Sequence, residues 1–227
     1  MTIAKPWAPE IGIIGAGRMG PRLAAMFASA GRRVILGSRD PVRTAVLTDA
    51  LDLPTLRAGT HAEAMSAPAI LPAVFIRDGL FDLLERHSPA LAGKLLIDIS
   101  NPFNADYSDF VTPWDSSGAE ELQRRIPQAR LVGAFKNVFW EVFDQPLFAD
   151  SVSDVLVTGD DDESKAEFIR LAAGTPFRYL DAGPLIHSRT VERLTFITSR
   201  LGQQLDSYPR MNWSLLTQPQ PATVLAA

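Results

Sequence analysis

An α/β fold built on a Rossmann-type, doubly wound parallel sheet, with a smaller C-terminal α/β extension, is what this sequence predicts. Three observations predict it. Short apolar runs alternate with longer amphipathic stretches along most of the chain, the pattern of parallel strands joined by crossover helices. The first run, "IGIIGAG" at 11–17, passes directly into Gly15-Ala16-Gly17-Arg18-Met19-Gly20 and a helix-forming stretch, the strand–turn–helix context that a dinucleotide fingerprint requires. With 227 residues, 46% of them hydrophobic, the chain can bury a substantial core.

Taken in order, the strand and turn at 11–17 are followed by a helix over 21–30, with Pro21 near its start and Gly31 just past its end, the asymmetry expected of helix termini. A second strand spans 33–36. A third unit around 51–58 is poorly defined, because Pro54 and Gly59 interrupt it. "AILPAVFI" (69–76), "KLLIDI" (94–99) and "RLVGAF" (130–135) are clearer strands, and the Pro-, Asp- and Ser-rich stretch 102–117 reads as a loop. Further strands are expected at 153–158 and 177–181, then an amphipathic helix from about 185 to 205. This gives a nucleotide-binding domain over 10–150, an extension of the same domain over 151–206, and an irregular tail over 207–227 whose last residues fray.

Composition excludes several function classes. A net charge of -4 offers no general attraction to nucleic acid or an anionic membrane, so any anion site must be local. The absence of cysteine rules out disulfides, thiolate metal sites and a cysteine nucleophile, and His61, His87 and His187 show no ligand spacing, so no metal is expected. The first ten residues lack the apolar core of a signal peptide, and no apolar stretch reaches the length of about 20 residues that crosses a bilayer. A cytoplasmic protein without a membrane partner is the expectation.

The glycine motif has a physical reading residue by residue. Gly15 permits the tight turn, Gly17 lets backbone approach a pyrophosphate, and Gly20 lets the helix pack closely on the strand, with Ala16, Arg18 and Met19 completing the loop. At the end of the second strand, in "VILGSRDP" (34–41), an acidic residue would read the adenine ribose, but Ser38 and Arg39 come first and Arg43 follows one turn later. A hydroxyl and two guanidinium forks suit a 2'-phosphate, which points to NADP rather than NAD. Asp40 competes as a ribose reader; preceding Pro41, it is better read as a helix N-cap.

Ligands of such sheets bind outside the carboxyl ends of the strands. Ala73, Val74 and Phe75 are therefore expected beneath the cofactor ribose, Ser100, Asn101 and Pro102 beside the nicotinamide, and Ala134 and Phe135, leading to Lys136 and Asn137, against its far face. These segments hold no Ser/His/Asp set and no acidic pair, so the chemistry they suit is hydride transfer between bound rings, in which the protein supplies distance and orientation. Lys136 is the one candidate for proton chemistry, and is otherwise a solvated lysine. "GDDDESK" (159–165) reads as an acidic helix N-terminus and not as a metal site.

"IGIIGAGRMG", "LGSRDP", "AGKLLIDISNP", "GDDDESK" and "YLDAGPLIHSRTVERLT" resemble, in order and spacing, the NADPH-dependent oxidoreductases that reduce a deazaflavin coenzyme. "AVFIRDGL" and "DISNPF" are equally similar to the cytosolic domain of the six-transmembrane epithelial antigen metalloreductases, whose membrane-spanning half has no counterpart in this sequence. The resemblance runs from about residue 11 to 200. It implies NADP at the glycine loop, with Ser38, Arg39 and Arg43 matching the 2'-phosphate binders, and hydride transfer to FAD, FMN or a deazaflavin coenzyme as a small-molecule acceptor. Catalysis by a side chain is not implied. The alternatives are a non-catalytic NADP-sensing protein and a reductase of a small imine or carbonyl compound.

Two positions depart from the resembled pattern. Arg18-Met19 replaces the pairs usual inside the glycine loop, and Arg18 either adds positive charge near the phosphates or points to solvent. Phe139 and Trp140, in "AFKNVFWEVF", stand where small residues are usual, and either form a stacking wall for the second ring, plug its cavity, or belong to the core. In the last helix, Leu185, Val191, Leu194, Ile197 and Leu201 make a stripe that covers either its own domain or a partner, and the resemblance implies a homodimer.

Overall fold

The parallel core follows from strands that are apolar along their whole length. In the computed structural model, which describes residues 7–149 and 151–217, β1 (Ile11–Ile14) is buried at all four positions, as befits a strand covered on both faces. The chain continues through α1 (Gly20–Ser29), β2 (Val34–Ser38), α2 (Pro41–Leu51), β3 (Leu56–Thr60), α3 (His61–Ala64), β4 (Ala69–Pro72), α4 (Leu80–Arg86), α5 (Ser88–Leu91), β5 (Leu95–Asp98), α6 (Gly118–Arg125) and β6 (Arg130–Gly133). These six strands form one parallel sheet in the order β3-β2-β1-β4-β5-β6, which is the doubly wound Rossmann order. Two hydrophobic clusters cover it, one containing Leu23, Phe27, Phe135 and Phe168 and the other Ala64, Leu80, Leu84 and Leu122.

The smaller C-terminal part comprises α7 (Trp140–Asp144), β7 (Leu147–Phe148), β8 (Ser151–Val157), α8 (Asp162–Leu171), β9 (Phe177–Asp181) and α9 (Ser188–Gln204). Its sheet has the order β7-β8-β9. It is stitched to β6 by reciprocal backbone bonds between Gly133 and Thr158 of 2.8 and 2.9 Å, so the second sheet abuts the edge of the first. Asp161 caps α8 by accepting from the Ser164 N–H, and Asp162 and Glu163 occupy its first turn. The acidic "GDDDESK" therefore builds a helix start, as its sequence implies.

Several boundaries differ from expectation. The strand expected over 69–76 ends at Pro72, and Ile76–Asp78 form a 3₁₀ turn closed by Gly79 at φ 89°. The strand expected over 130–135 stops at Gly133, because Phe135 takes a left-handed φ of 56° that no ladder continues. The poorly defined third unit contains the edge strand β3, in register with β2 from Val34↔Leu56 to Ser38↔Thr60. Gly59 belongs inside it: a Cβ there would stand 3.0 Å from Ile35 and Glu63 side-chain atoms. Residues 207–217 carry no helix or strand, and the rest of the expected tail, 218–227, lies outside the described residues. The expected stripe divides: Leu185, in a 3₁₀ turn before α9, and Val191 are buried, whereas Ile197 is 54% exposed. No helix among the described residues is long and apolar enough to cross a membrane.

Candidate functional site

At the carboxyl ends of the parallel strands lies a cleft of about 1220 Å³, large enough for a dinucleotide with room for a second ring. The glycine loop forms one stretch of its wall through Gly15, Ala16, Gly17, Arg18 and Met19. Gly15 sits at φ 109° with its would-be Cβ 2.8 Å from the Ala73 carbonyl oxygen, and a Cβ on Gly20 would fall 1.8 Å from the Gly15 oxygen. Both glycines serve close packing. Gly17 is different, since a Cβ there would meet nothing within 4 Å and would project into open space. That open cradle, facing the start of α1, fits a pyrophosphate.

Beside it, the end of β2 presents Ser38 and Arg39, and the first turn of α2 presents Arg43, to the same cleft. The Asp40 carboxylate accepts from the Arg43 N–H at 3.0 Å and caps α2, so its cap reading is the one the structure supports. Ser38 Oγ shares a hydrogen bond of 2.7 Å with Thr44 Oγ1 and accepts from the Asp40 N–H at 3.1 Å, which fixes its rotamer. Arg39 and Arg43 are exposed and form no ion pair among the described residues. Two unspent guanidinium groups beside an ordered hydroxyl fit the 2'-phosphate of NADP.

Further along, Ala73, Val74, Phe75, Ser100, Asn101 and Phe135 also line the cleft. Gly20, Pro102 and Ala134 do not. Gly20 is taken up by helix packing, Pro102 is buried, and Ala134 is wholly buried with its N–H bonded to the Asp98 carbonyl at 2.9 Å. Phe135 touches the cleft with little surface: it is 2% exposed, and its ring packs against those of Phe27, Phe143, Phe168, Phe177 and Tyr179. It is chiefly a core residue.

Lys136 overturns the expectation of a solvated lysine. Its ammonium is buried and bonded to Asp98 Oδ2 at 2.6 Å, Glu192 Oε1 at 2.9 Å and the Ser100 carbonyl oxygen. Burial alone would lower its pKa, but the charges of Asp98 and Glu192 outweigh that and hold it above the usual lysine value. Burial pushes Glu192 up, against the pull of Lys136; the same carboxylate accepts the N–H groups of Gly118 and Ala119 at the start of α6. All three donors of Lys136 are spent, so the residue fixes the loops after β5 and β6 and offers no proton to a ligand.

Of the remaining wall, Phe139 and Trp140 were candidates from the sequence, whereas the contributions of α9 and Tyr208 were not legible there. Thr195, Phe196, Ser199, Arg200 and Gln203 line the cleft from one face of α9, the i, i+4, i+8 spacing of a single helical face. Phe139 and Trp140 line it as well, joined by Tyr208, whose ring stands 5.9 Å and 5.6 Å from theirs in edge contacts. Tyr208 is delivered by the segment after α9, which is tied down where Trp213 Nε1 donates to Thr198 Oγ1 at 2.7 Å and the Asp154 N–H donates to the Trp213 carbonyl at 2.9 Å. A tail expected to be merely irregular thus supplies part of the wall.

Residues 10–102, from the entry to β1 through the loop after β5, match the family described as NADP oxidoreductase coenzyme F420-dependent. Metalloreductase STEAP3 of Rattus norvegicus is 32% identical over 188 residues, covering 82% of this chain and 36% of the relative. F420-dependent NADP reductase of Methanocaldococcus jannaschii is 34% identical over 113 residues, covering 46% of this chain and 49% of the relative. The chain thus spans about a third to a half of the length of these relatives. A crystal structure described as that of an f420 dependent nadp-reductase from Arthrobacter sp. FB24 superposes with a TM-score of 0.77 at 24% identity, covering 87% of this chain and 95% of the other. It has the same fold. Both kinds of relative that the motifs resemble are therefore among the proteins this chain matches.

Proposed function

We propose that this chain binds NADP(H) across the strand ends and transfers a hydride between it and a flavin or deazaflavin ring held in the aromatic part of the same cleft. One observation carries the reading. A single cleft runs from the open Gly17 cradle and the free Arg39 and Arg43 to Phe139, Trp140 and Tyr208, so a dinucleotide and a planar partner have adjoining places. The family of residues 10–102 and the names of the relatives support the same reading.

The roles of the residues follow from their chemistry. Ser38, Arg39 and Arg43 hold the 2'-phosphate, while the backbone around Gly17 and the first amides of α1 face the pyrophosphate. Bound NADPH supplies the hydride, so the protein needs no nucleophile; its part is to hold the rings in near contact and keep water out. The Asp98–Lys136–Glu192 group keeps the Ser100 and Lys136 loops in place beneath that contact.

Steady-state oxidation of NADPH, followed with FMN, FAD, a deazaflavin and a small ketone or imine in turn, tests the proposal. Turnover with a flavin-type acceptor is expected. Oxidation by the ketone or imine alone would replace the acceptor class, and tight NADPH binding without oxidation by any acceptor would make the protein a sensor of NADP.

A further inference from the structure

We propose that His61 is a fourth ligand of the 2'-phosphate, beside Ser38, Arg39 and Arg43, taking up a proton when that phosphate binds, so that the protein tells NADP(H) from NAD(H) in a pH-dependent way. The inference rests on the cofactor reading above. Strand register supplies the geometry: β2 and β3 are parallel neighbours with Ser38 opposite Thr60, so the next residues along, Arg39 and His61, leave the sheet side by side. Both line the cleft together with Ser38 and Arg43. The position of His61 is also fixed locally, because Thr60 closes a capping box with Glu63 at the start of α3.

The charges around the imidazole lack a counterion. Arg39 faces it from the end of β2 and His87 from the end of α4, while Arg43 of α2 and Arg86 of α4 line the same cleft. Of the nearby carboxylates, Asp40 is committed to the Arg43 N–H and Glu63 to the N–H and hydroxyl of Thr60. Asp82 of α4 and Asp78 in the turn before it are the other acids lining the cleft. Burial, then the charges of His87 and Arg39, hold the His61 pKa below the usual histidine value, with no hydrogen bond opposing them. The imidazole is therefore neutral at neutral pH in the protein alone. A phosphate dianion held by Arg39 and Arg43 reverses the local field, and an opposite charge at hydrogen-bond distance raises an imidazole pKa.

The proton that His61 gains comes from solvent, so NADP⁺ binding should consume protons where NAD⁺ binding does not. Calorimetric titration of the full chain near pH 8, in two buffers of different ionisation enthalpy, counts them. Uptake of a fraction of a proton, larger the further binding raises the imidazole pKa, is expected for NADP⁺, close to none for NAD⁺, and the uptake should disappear in His61→Gln. The 2'-phosphate itself titrates near pH 6 in both proteins, so the comparison of native with variant carries the information. The native advantage in NADP⁺ affinity should therefore shrink as the pH rises from 6.5 to 8.5, by at most about tenfold for each pH unit that lies below the pKa of the bound imidazole. Unchanged NAD⁺ affinity in His61→Gln verifies that the site is intact. Equal proton counts in the two proteins overturn the role of His61 alone, whereas a native protein that binds neither nucleotide overturns the cofactor reading and this inference with it.

Discussion

The guanidinium of Arg18 lies 4.5 Å from the centroid of the Trp140 ring, so the two positions at which the chain departs from the pattern it resembles meet each other in the cleft. Such a contact contributes about 0.5–1 kcal/mol where it is exposed. A second tether acts on the same helix, since Arg22 of α1 grips Asp144 at the end of α7 through bonds of 2.7 to 2.9 Å. Trp140 is thereby held as a wall beside the glycine loop. Trp140→Ala should raise the KM for a flavin about tenfold, consistent with losing a stacked aromatic and the area it buries, while leaving the NADPH Kd within about twofold. Faster flavin turnover in the variant would mean that the ring blocks the second site and does not build it.

The glycines of the loop separate binding from folding. Gly17→Val places a branched side chain in the open space that Gly17 borders, so NADPH binding should vanish with the circular dichroism spectrum and melting temperature nearly unchanged. Gly20→Ala should do the opposite kind of damage, because its Cβ would stand 1.8 Å from the Gly15 oxygen and the start of α1 would have to move. A loss of several degrees in melting temperature is expected there. If Gly17→Val retained NADPH affinity, the loop would be only a turn.

What was legible in the sequence depended on local chemistry. The run Ile11–Ile14, the glycine spacing and the Asp40-Pro41 cap each carry their meaning within a few residues, and the structure follows them. Lys136 was misread because nothing near it in sequence announces its partners: Asp98 lies 38 positions before it and Glu192 on a helix 56 positions after it, brought together only by the ends of β5 and β6 and the return of α9. Tyr208 and the lining face of α9 were missed for the same reason. His61 was weighed only for metal spacing, and its neighbour across the sheet, Arg39, became visible through the register of β2 with β3.

On the proposed reading, Arg39 carries the choice of cofactor. It is exposed and forms no ion pair among the described residues, so its removal should cost the fold nothing. Arg39→Ala should weaken NADPH binding by about 1.5–3 kcal/mol, the range for hydrogen bonds to a charged group. NADH affinity should barely change. Titration of both nucleotides against both proteins is the measurement, and equal affinity of the native protein for NADPH and NADH would return the site to an ordinary ribose.

Lys136 makes the opposite prediction, a large effect on stability. Lys136→Met keeps the length of the side chain but leaves Asp98 and Glu192 buried beside each other without their cation. Stranding buried charge in this way costs about 3–5 kcal/mol, which in a chain of this size lowers the melting temperature by roughly 10 °C. Because burial already pushes the Glu192 pKa up, the stranded carboxylate would relieve itself by taking a proton, and the deficit should shrink as the pH is lowered toward the carboxylate range. Glu192→Gln in the Lys136→Met background mimics that protonation at neutral pH. It should recover part of the loss, so that the two substitutions together cost less than the sum of each alone. Thermal melts of the native, two single and double variants decide this: additive losses would mean that Lys136 and Glu192 act independently despite their contact, and that the Ser100 loop is held by something other than this ion group.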